Sequence, residues 1–199
     1  MTQPVSENST AVIVLHDQNG SSRFREETCR QYRSEGCDVF CFTCADEPVK
    51  TPLPLSGESG GLEEGLPLSA YDALIGQITA LKQRYRQVLL IGFGTGADFA
   101  WRCSLSPLCG GVLACCPSRL QERLEIIPAC PVFLLLAANS PIDAAALSSE
   151  CRKKEGVRCE VWDTSPGFWD PDSETFSHNQ TQRLHLCRRS FWNSRLAVK

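Results

Sequence analysis

The stretch Val88–Ala97, VLLIGFGTGA, constrains the fold more than any other part of the chain. An apolar run ends in three glycines, Gly92, Gly94 and Gly96, and opens directly into the helical pattern ADFAWRCS. Strand, tight turn and helix start is the order of two known constructions. One presents a nucleophile, G-x-Ser/Cys-x-G. The other receives a dinucleotide pyrophosphate, G-x-G-x-x-G/A. The residue between the outer glycines separates them. Here it is Gly94, which has no side chain and cannot attack a substrate.

Strands and helices alternate around this stretch. Ala11–Leu15 (AVIVL) is a continuous apolar run, the mark of a strand buried on both faces. A charged helix is predicted over Arg23–Glu35, stopped by Gly36, and a second strand over Cys37–Cys44. Residues 45–69, rich in Pro and Gly, read as a long loop of the kind that is usually functional or mobile. Leu74, Ile78, Leu81 and Tyr85 then recur at helical spacing. Val88–Ile91 is the third strand, and Ala97–Ser104 the helix that follows the glycine turn. Further strands are predicted at Gly111–Cys116, Pro131–Ala137 and Val157–Asp163. A short amphipathic piece at Ser118–Cys130 and helices at Asp143–Lys154 and about His178–Ser194 complete the pattern. This is an α/β chain with a mostly parallel sheet of about six strands and helices on both faces. Its functional groups should lie on the loops at the strand carboxyl ends.

At 199 residues, 42% of them hydrophobic, the chain reads as one domain over 10–199 behind a polar, disordered leader at 1–9. A net charge of −3 gives no reason to expect a nucleic-acid or anionic-membrane partner. No apolar run approaches the ~20 residues that span a bilayer. The N-terminus MTQPVSENST lacks the basic and apolar regions of a secretory signal, so a cytoplasmic protein is expected. The twelve cysteines lie largely in apolar runs, Cys41, Cys115, Cys116 and Cys159 in predicted strands, and are expected as core thiols. Cys41 and Cys44 form a CxxC without a second pair to complete a four-ligand set, so no metal is expected. No cofactor is expected, and no feature argues for a particular oligomeric state.

Taken in order, four stretches resemble the dienelactone hydrolase family of α/β-hydrolases. AVIVLHDQNG resembles that family's first conserved strand and loop, and SEGCDVFCFT the strand that follows. VLLIGFGTGADFAW resembles the elbow G-[FY]-[CS]-x-G-G. PVFLLLAANSPID, with VWDTSPGFWDP after it, resembles the loops bearing the catalytic acid (G-x-x-D-P) and histidine (G-x-H-G-F). The resemblance implies a single-domain α/β-hydrolase fold. It also places the nucleophile on Gly94, the acid on Ser140 and the histidine on Pro166. Those three residues can fill none of the triad's roles. The resemblance therefore implies a degenerate hydrolase that binds a small molecule or partner in a vestigial cleft.

The pocket residues expected from this alignment are His16, Asp17, Gly92, Thr95, Gly96, Ser165, Phe168 and Trp169. Two other readings stand beside it. An active ester or lactone hydrolase would use relocated residues: Thr95, Ser165 or a thiol of Cys115 or Cys116. An NAD(P)-binding protein would use the Gly92–Ala97 turn, with Ser118 and Arg119 toward a 2′-phosphate. Asp143, three residues past the acid position, is expected to open a helix, and Thr95 to cap the helix after the turn.

Overall fold

Six strands pair side by side, all in parallel. The computed structural model describes residues 9–17, 20–44 and 70–196. The leader read at 1–9, Ser9 apart, and the loop read at 45–69 lie outside the described residues. The strands are β1 (Thr10–Asp17), β2 (Asp38–Cys44), β3 (Gln87–Phe93), β4 (Gly111–Cys115), β5 (Val132–Ala137) and β6 (Val157–Trp162). Their order across the sheet is β2-β1-β3-β4-β5-β6. The helices are α1 (Ser22–Ser34), α2 (Ala70–Lys82), α3 (Thr95–Cys103), α4 (Ala144–Arg152) and α5 (His178–Leu196). Only a 3-10 turn at Leu120–Arg123 forms within the piece predicted between β4 and β5.

The continuous apolar runs have a simple cause: the sheet is covered on both faces. Along β1, Ala11, Ile13 and Leu15 join the core beneath α2, α3 and α4. Val12 and Val14 join a second core beneath α1 and α5, with Phe24, Tyr32, Leu184 and Phe191. Both sets bury apolar side chains almost completely, and this drives the layers together.

Local signals set the helix ends. Ser21 caps α1, its hydroxyl accepting from the Phe24 N–H at 3.0 Å. Gly36, at φ 79°, turns the chain off that helix into β2. Asp143 caps α4 by accepting from the Ala146 N–H at 3.0 Å, as its position predicted.

The cysteines need one correction. Cys29 on the buried stripe of α1 and Cys41 on β2 are joined in a disulfide. Their positions twelve apart, on different elements, gave no hint of it in the sequence. Cys103, Cys109, Cys115, Cys116, Cys130, Cys151 and Cys159 are buried thiols outside any disulfide, as expected of the core. No helix among the described residues is long and apolar enough to cross a membrane.

α5 holds a buried ion pair that its charged sequence does not suggest. Arg188 is 2% exposed. Its guanidinium donates to both carboxylate oxygens of Glu35, at 3.0 and 2.6 Å, and stacks 4.2 Å from the Tyr32 ring centroid. Nearby His185, on the same helix, is half-buried. Burial, and then the Arg188 charge, push its pKa below the usual 6.5. The unfolded chain therefore binds a proton more readily than the folded one. His185 contributes full stability above pH ~6.5, and that contribution falls as the pH drops below it. We predict that His185→Gln flattens the fall in thermal midpoint between pH 7 and pH 5, measured by circular dichroism. An unchanged slope would show that His185 plays no part.

Candidate functional site

The glycine turn sits at the carboxyl end of β3, near the middle of the sheet. Gly94 has φ 55° and ψ −123°, a conformation that glycine tolerates and that is strained for other residues. Its N–H donates to the Cys115 carbonyl at 3.1 Å, and its carbonyl accepts from the Ala97 N–H at 2.9 Å. One residue therefore turns strand into helix, and α3 begins at Thr95, two residues earlier than the sequence suggested. Thr95 opens α3 but is not its cap. Gly94 holds the cap position, with no side-chain bond. The sharp strand-to-helix turn thus has the shape of a nucleophile elbow, with a glycine at its tip.

The outer glycines hold α3 hard against the sheet. A Cβ on Gly96 would lie 2.2 Å from the Leu15 carbonyl oxygen, and one on Gly92 would lie 2.2 Å from that of Gly96. Both residues form the base of the turn.

A cleft of about 310 Å³ lies above Gly94. Its lining draws His16 and Gly20 from the end of β1, Ser21 and Phe24 from the start of α1, and Phe93 and Gly94 from the turn. Pro166, Gly167, Trp169, Asp170, Asp172 and Ser173 come from the loop after β6. Gly94 and Pro166, the positions read as nucleophile and histidine, thus face the same space, with His16 beside them. Ser140 is elsewhere. Its hydroxyl donates to the Ala137 carbonyl at 2.8 Å, inside the turn after β5.

Of the other residues read as pocket candidates, Trp169 lines the cleft. Gly92, Thr95, Gly96, Ser165 and Phe168 are outside its lining. Phe168 is fully buried, its ring 6.1 Å from that of Trp162 and 5.2 Å from that of Trp169. The backbone of Asp17 ends β1, but its side chain lies outside the described residues. Cys115 and Cys116 are buried under the turn, 0% and 6% exposed, and neither reaches the cleft. Burial, and then contact with Cys116, hold the Cys115 thiol well above its usual pKa, which suppresses the thiolate.

Sequence reasoning missed the link between the two cleft loops. The Asp170 carboxylate accepts from the Ser21 N–H at 2.8 Å, the Ser21 hydroxyl at 2.6 Å and the Asp172 N–H at 3.0 Å. An anion at the N-terminus of α1 also complements the helix dipole. Asp170 is only 8% exposed, so water does not replace these bonds readily. Asp170→Ala is expected to lower unfolding stability by about 2 kcal/mol, the scale of lost charge-assisted hydrogen bonds. Urea denaturation measures it; a loss under about 0.5 kcal/mol would contradict this role. The sequence signal was Ser21-Ser22 ahead of a helix, which marks a cap but not its distant partner.

Aromatic rings form the inner wall. Phe24 meets Phe93 edge-on at 4.8 Å between centroids, and Phe93 meets Trp169 at 5.4 Å. These three also line a smaller void of about 20 Å³ on the far side, toward Tyr32, His185 and Arg188. The Ser118 hydroxyl, read with Arg119 as a phosphate contact, is occupied otherwise. The Asp98 carboxylate on α3 accepts from the Ser118 N–H and hydroxyl at 3.1 and 2.8 Å and from the Arg119 N–H at 2.9 Å.

No known family pattern matches the chain. One relative, the uncharacterized protein YczH of Bacillus subtilis (strain 168), is 37% identical over 95 residues. That match takes in 46% of this chain and 47% of the relative, so the chain spans about half the length of the relative it matches. Solved structures are similar over nearly the whole chain. A protein of Klebsiella pneumoniae subsp. pneumoniae MGH 78578, provisionally assigned as a dienelactone hydrolase, superposes with a TM-score of 0.67 at 14% identity, over 92% of this chain and 86% of its own. The Pyrococcus furiosus esterase Pf2001 superposes at 0.65 and 14% identity, over 96% of this chain and 85% of its own. At such identities the likeness is one of architecture. The chain has the α/β-hydrolase fold, a six-stranded parallel sheet covered by helices on both faces, and its structural neighbours include hydrolases and esterases.

Proposed function

We propose that this chain is a degenerate, dienelactone hydrolase-like protein that binds a small molecule in the cleft above the glycine turn and does not turn over an ester. One observation carries the reading. Gly94 keeps the backbone of a nucleophile elbow, opposite Pro166, in a cleft of ligand size. Covalent hydrolysis needs a nucleophile and a base within reach of it. Among the described residues the lining supplies His16 as a base and, as hydroxyls, only Ser21 and Ser173. The Ser21 oxygen caps α1 and its proton goes to Asp170. Ser173 is hydrogen-bonded to Thr175 at 2.9 Å.

The readings with relocated nucleophiles and with NAD(P) have weaker support. Thr95, Ser165, Cys115 and Cys116 stay outside the lining, and Asp98 engages the Ser118 hydroxyl. Initial rates with p-nitrophenyl acetate and butyrate test the proposal. Rates equal to those of buffer are expected, unchanged in His16→Ala. Protein-dependent hydrolysis that disappears in His16→Ala would overturn it.

A further inference from the structure

Two thiols meet at the end of the sheet away from the cleft. Cys109 lies just ahead of β4 and Cys130 just ahead of β5, at the amino ends of neighbouring parallel strands. The pairing holds out to this edge: Val112 faces Val132, and the Val112 N–H donates to the Pro131 carbonyl at 2.9 Å. The turn that leaves α3 gathers both sulfurs. The Cys109 thiol donates to the Cys103 carbonyl at 3.3 Å, and the Cys130 thiol to the next carbonyl, that of Ser104, at 3.8 Å. The Ser104 carbonyl also accepts from the Ala129 N–H at 2.7 Å, which fixes the Cys130 loop against this turn. The two thiols are hydrogen-bonded to each other. Cys109 donates, and this bond, then burial, hold its pKa far above the ordinary thiol range. Cys130 accepts, and the bond lowers its pKa. The pair is asymmetric: Cys130 is the sulfur that ionises, and Cys109 the one that keeps its proton. Other close pairs lack something. Cys115 and Cys116 touch, but adjacent Cα atoms lie about 3.8 Å apart, short of the roughly 4.4 Å at which a disulfide closes without strain. Neighbouring strands, roughly 4.8 Å apart, fall inside the disulfide span. Cys151 and Cys159 are near each other, but burial dominates both and suppresses both thiolates.

We propose that Cys109 and Cys130 are a redox dithiol that a small peroxide oxidises to a second disulfide, locking the turn after α3 to the entry of β5. The Cys130 thiolate attacks one oxygen of hydrogen peroxide. The O–O bond breaks, the other oxygen leaves and is protonated to water, and Cys130 becomes a sulfenic acid. The Cys109 sulfur then displaces the hydroxyl from Cys130. That hydroxyl and the Cys109 proton leave as water, and the S–S bond forms. Two thiols have lost two electrons and two protons, and one peroxide has become two waters. Access comes through the two turns. Cys109 and Cys130 are 4% and 7% exposed, beneath a rim of Leu105, Pro107, Ile127 and Ala129, all exposed and outside any helix or strand. An oxidant close to water in size reaches the sulfurs when these turns open locally. The closed ring encloses β4 and the turn at Leu120–Arg123, so the bond restricts the unfolded chain. The cleft, at the opposite ends of the strands, is untouched, and the proposal stands apart from the reading of that cleft.

Hydrogen peroxide added to the full chain tests the proposal, followed by alkylation of the remaining thiols in denaturant and peptide mapping without reductant. A peptide linking Cys109 to Cys130 is expected, formed about tenfold faster than Cys151 or Cys159 is oxidised, and lost on treatment with dithiothreitol. The thermal midpoint of the oxidised chain should lie about 5 °C or more above that of the untreated chain. Cys109→Ala should abolish this gain and leave a sulfenic acid on Cys130 that dimedone traps. Cys130→Ala should leave no sulfenic acid on Cys109. Linkage of Cys109 to Cys103 instead, oxidation of the pair no faster than that of Cys151, or a dimedone adduct on Cys109 and none on Cys130 overturns the proposal. A linked form with an unchanged thermal midpoint overturns it as well, since the bond then locks nothing. The mapping and the midpoint of the parent chain decide the matter even where a variant fails to fold.

Discussion

Gly96→Ala is expected to destabilise the protein by at least about 3 kcal/mol, the upper end of what overpacking does. The added Cβ would lie 2.2 Å from the Leu15 oxygen, 2.5 Å from the Leu15 carbonyl carbon and 2.9 Å from the His16 nitrogen. All three atoms are backbone of β1, an interior strand paired on both sides, so none can move aside without breaking the sheet. α3 would have to lift off β1, and its contacts through Ala97, Ala100 and Trp101 would loosen with it. Gly76→Ala in α2 is the matched control. A Cβ there meets nothing within 4 Å, and helix propensity favours alanine by roughly 0.5–1 kcal/mol. Urea denaturation followed by circular dichroism compares the two. A Gly96→Ala variant within about 1 kcal/mol of the parent would show that the turn is not packed as described.

Glu35→Ala is expected to be nearly as damaging. Arg188 is almost fully enclosed between Tyr32 and Trp192, and Glu35 is its carboxylate partner through two bonds. Removing the partner leaves a buried, uncompensated guanidinium, which typically costs 3–5 kcal/mol. The Glu35 side chain is itself 30% exposed, so water recovers part of this, and a loss of about 2–4 kcal/mol is expected. The double variant Glu35→Gln with Arg188→Met removes both charges and should recover most of the loss. Stability of the double variant no better than that of Glu35→Ala would mean that packing of the guanidinium, rather than its charge, is what matters.

The architecture was legible because a sheet covered on both faces leaves a plain trace. AVIVL, VLLI and VFLLLA are apolar without alternation, and no exposed or edge strand produces that pattern. Helix ends at Gly36 and Asp143 were legible because their signals are local. The start of α3 was read two residues late because Gly94 completes the whole turn through its own dihedrals, which a string of glycines does not reveal.

The site was legible only in part. His16, Gly94, Pro166 and Trp169 fall on the cleft because the order of strand ends fixes which loops share one side of a parallel sheet. Phe168 was misplaced by one position in a loop. It turns into the core while its neighbour Trp169 turns to the cleft. Ser21 and Asp170 are 149 residues apart, and their bond exists only once β1 and β6 have placed their loops together. Arg188 reads as surface charge in LCRRSFW; only Tyr32 and Glu35 on another part of the chain make it a core residue.

On the proposed reading, the cleft keeps the shape of a hydrolase site without its nucleophile. Treatment of the folded chain with a fluorophosphonate, followed by intact mass and peptide mapping, tests this most directly. No adduct is predicted at any cleft hydroxyl or at Thr95 and Ser165. A stoichiometric adduct on Ser21, Ser173, Thr95 or Ser165, prevented by His16→Ala, would contradict the claim and make the chain an active hydrolase.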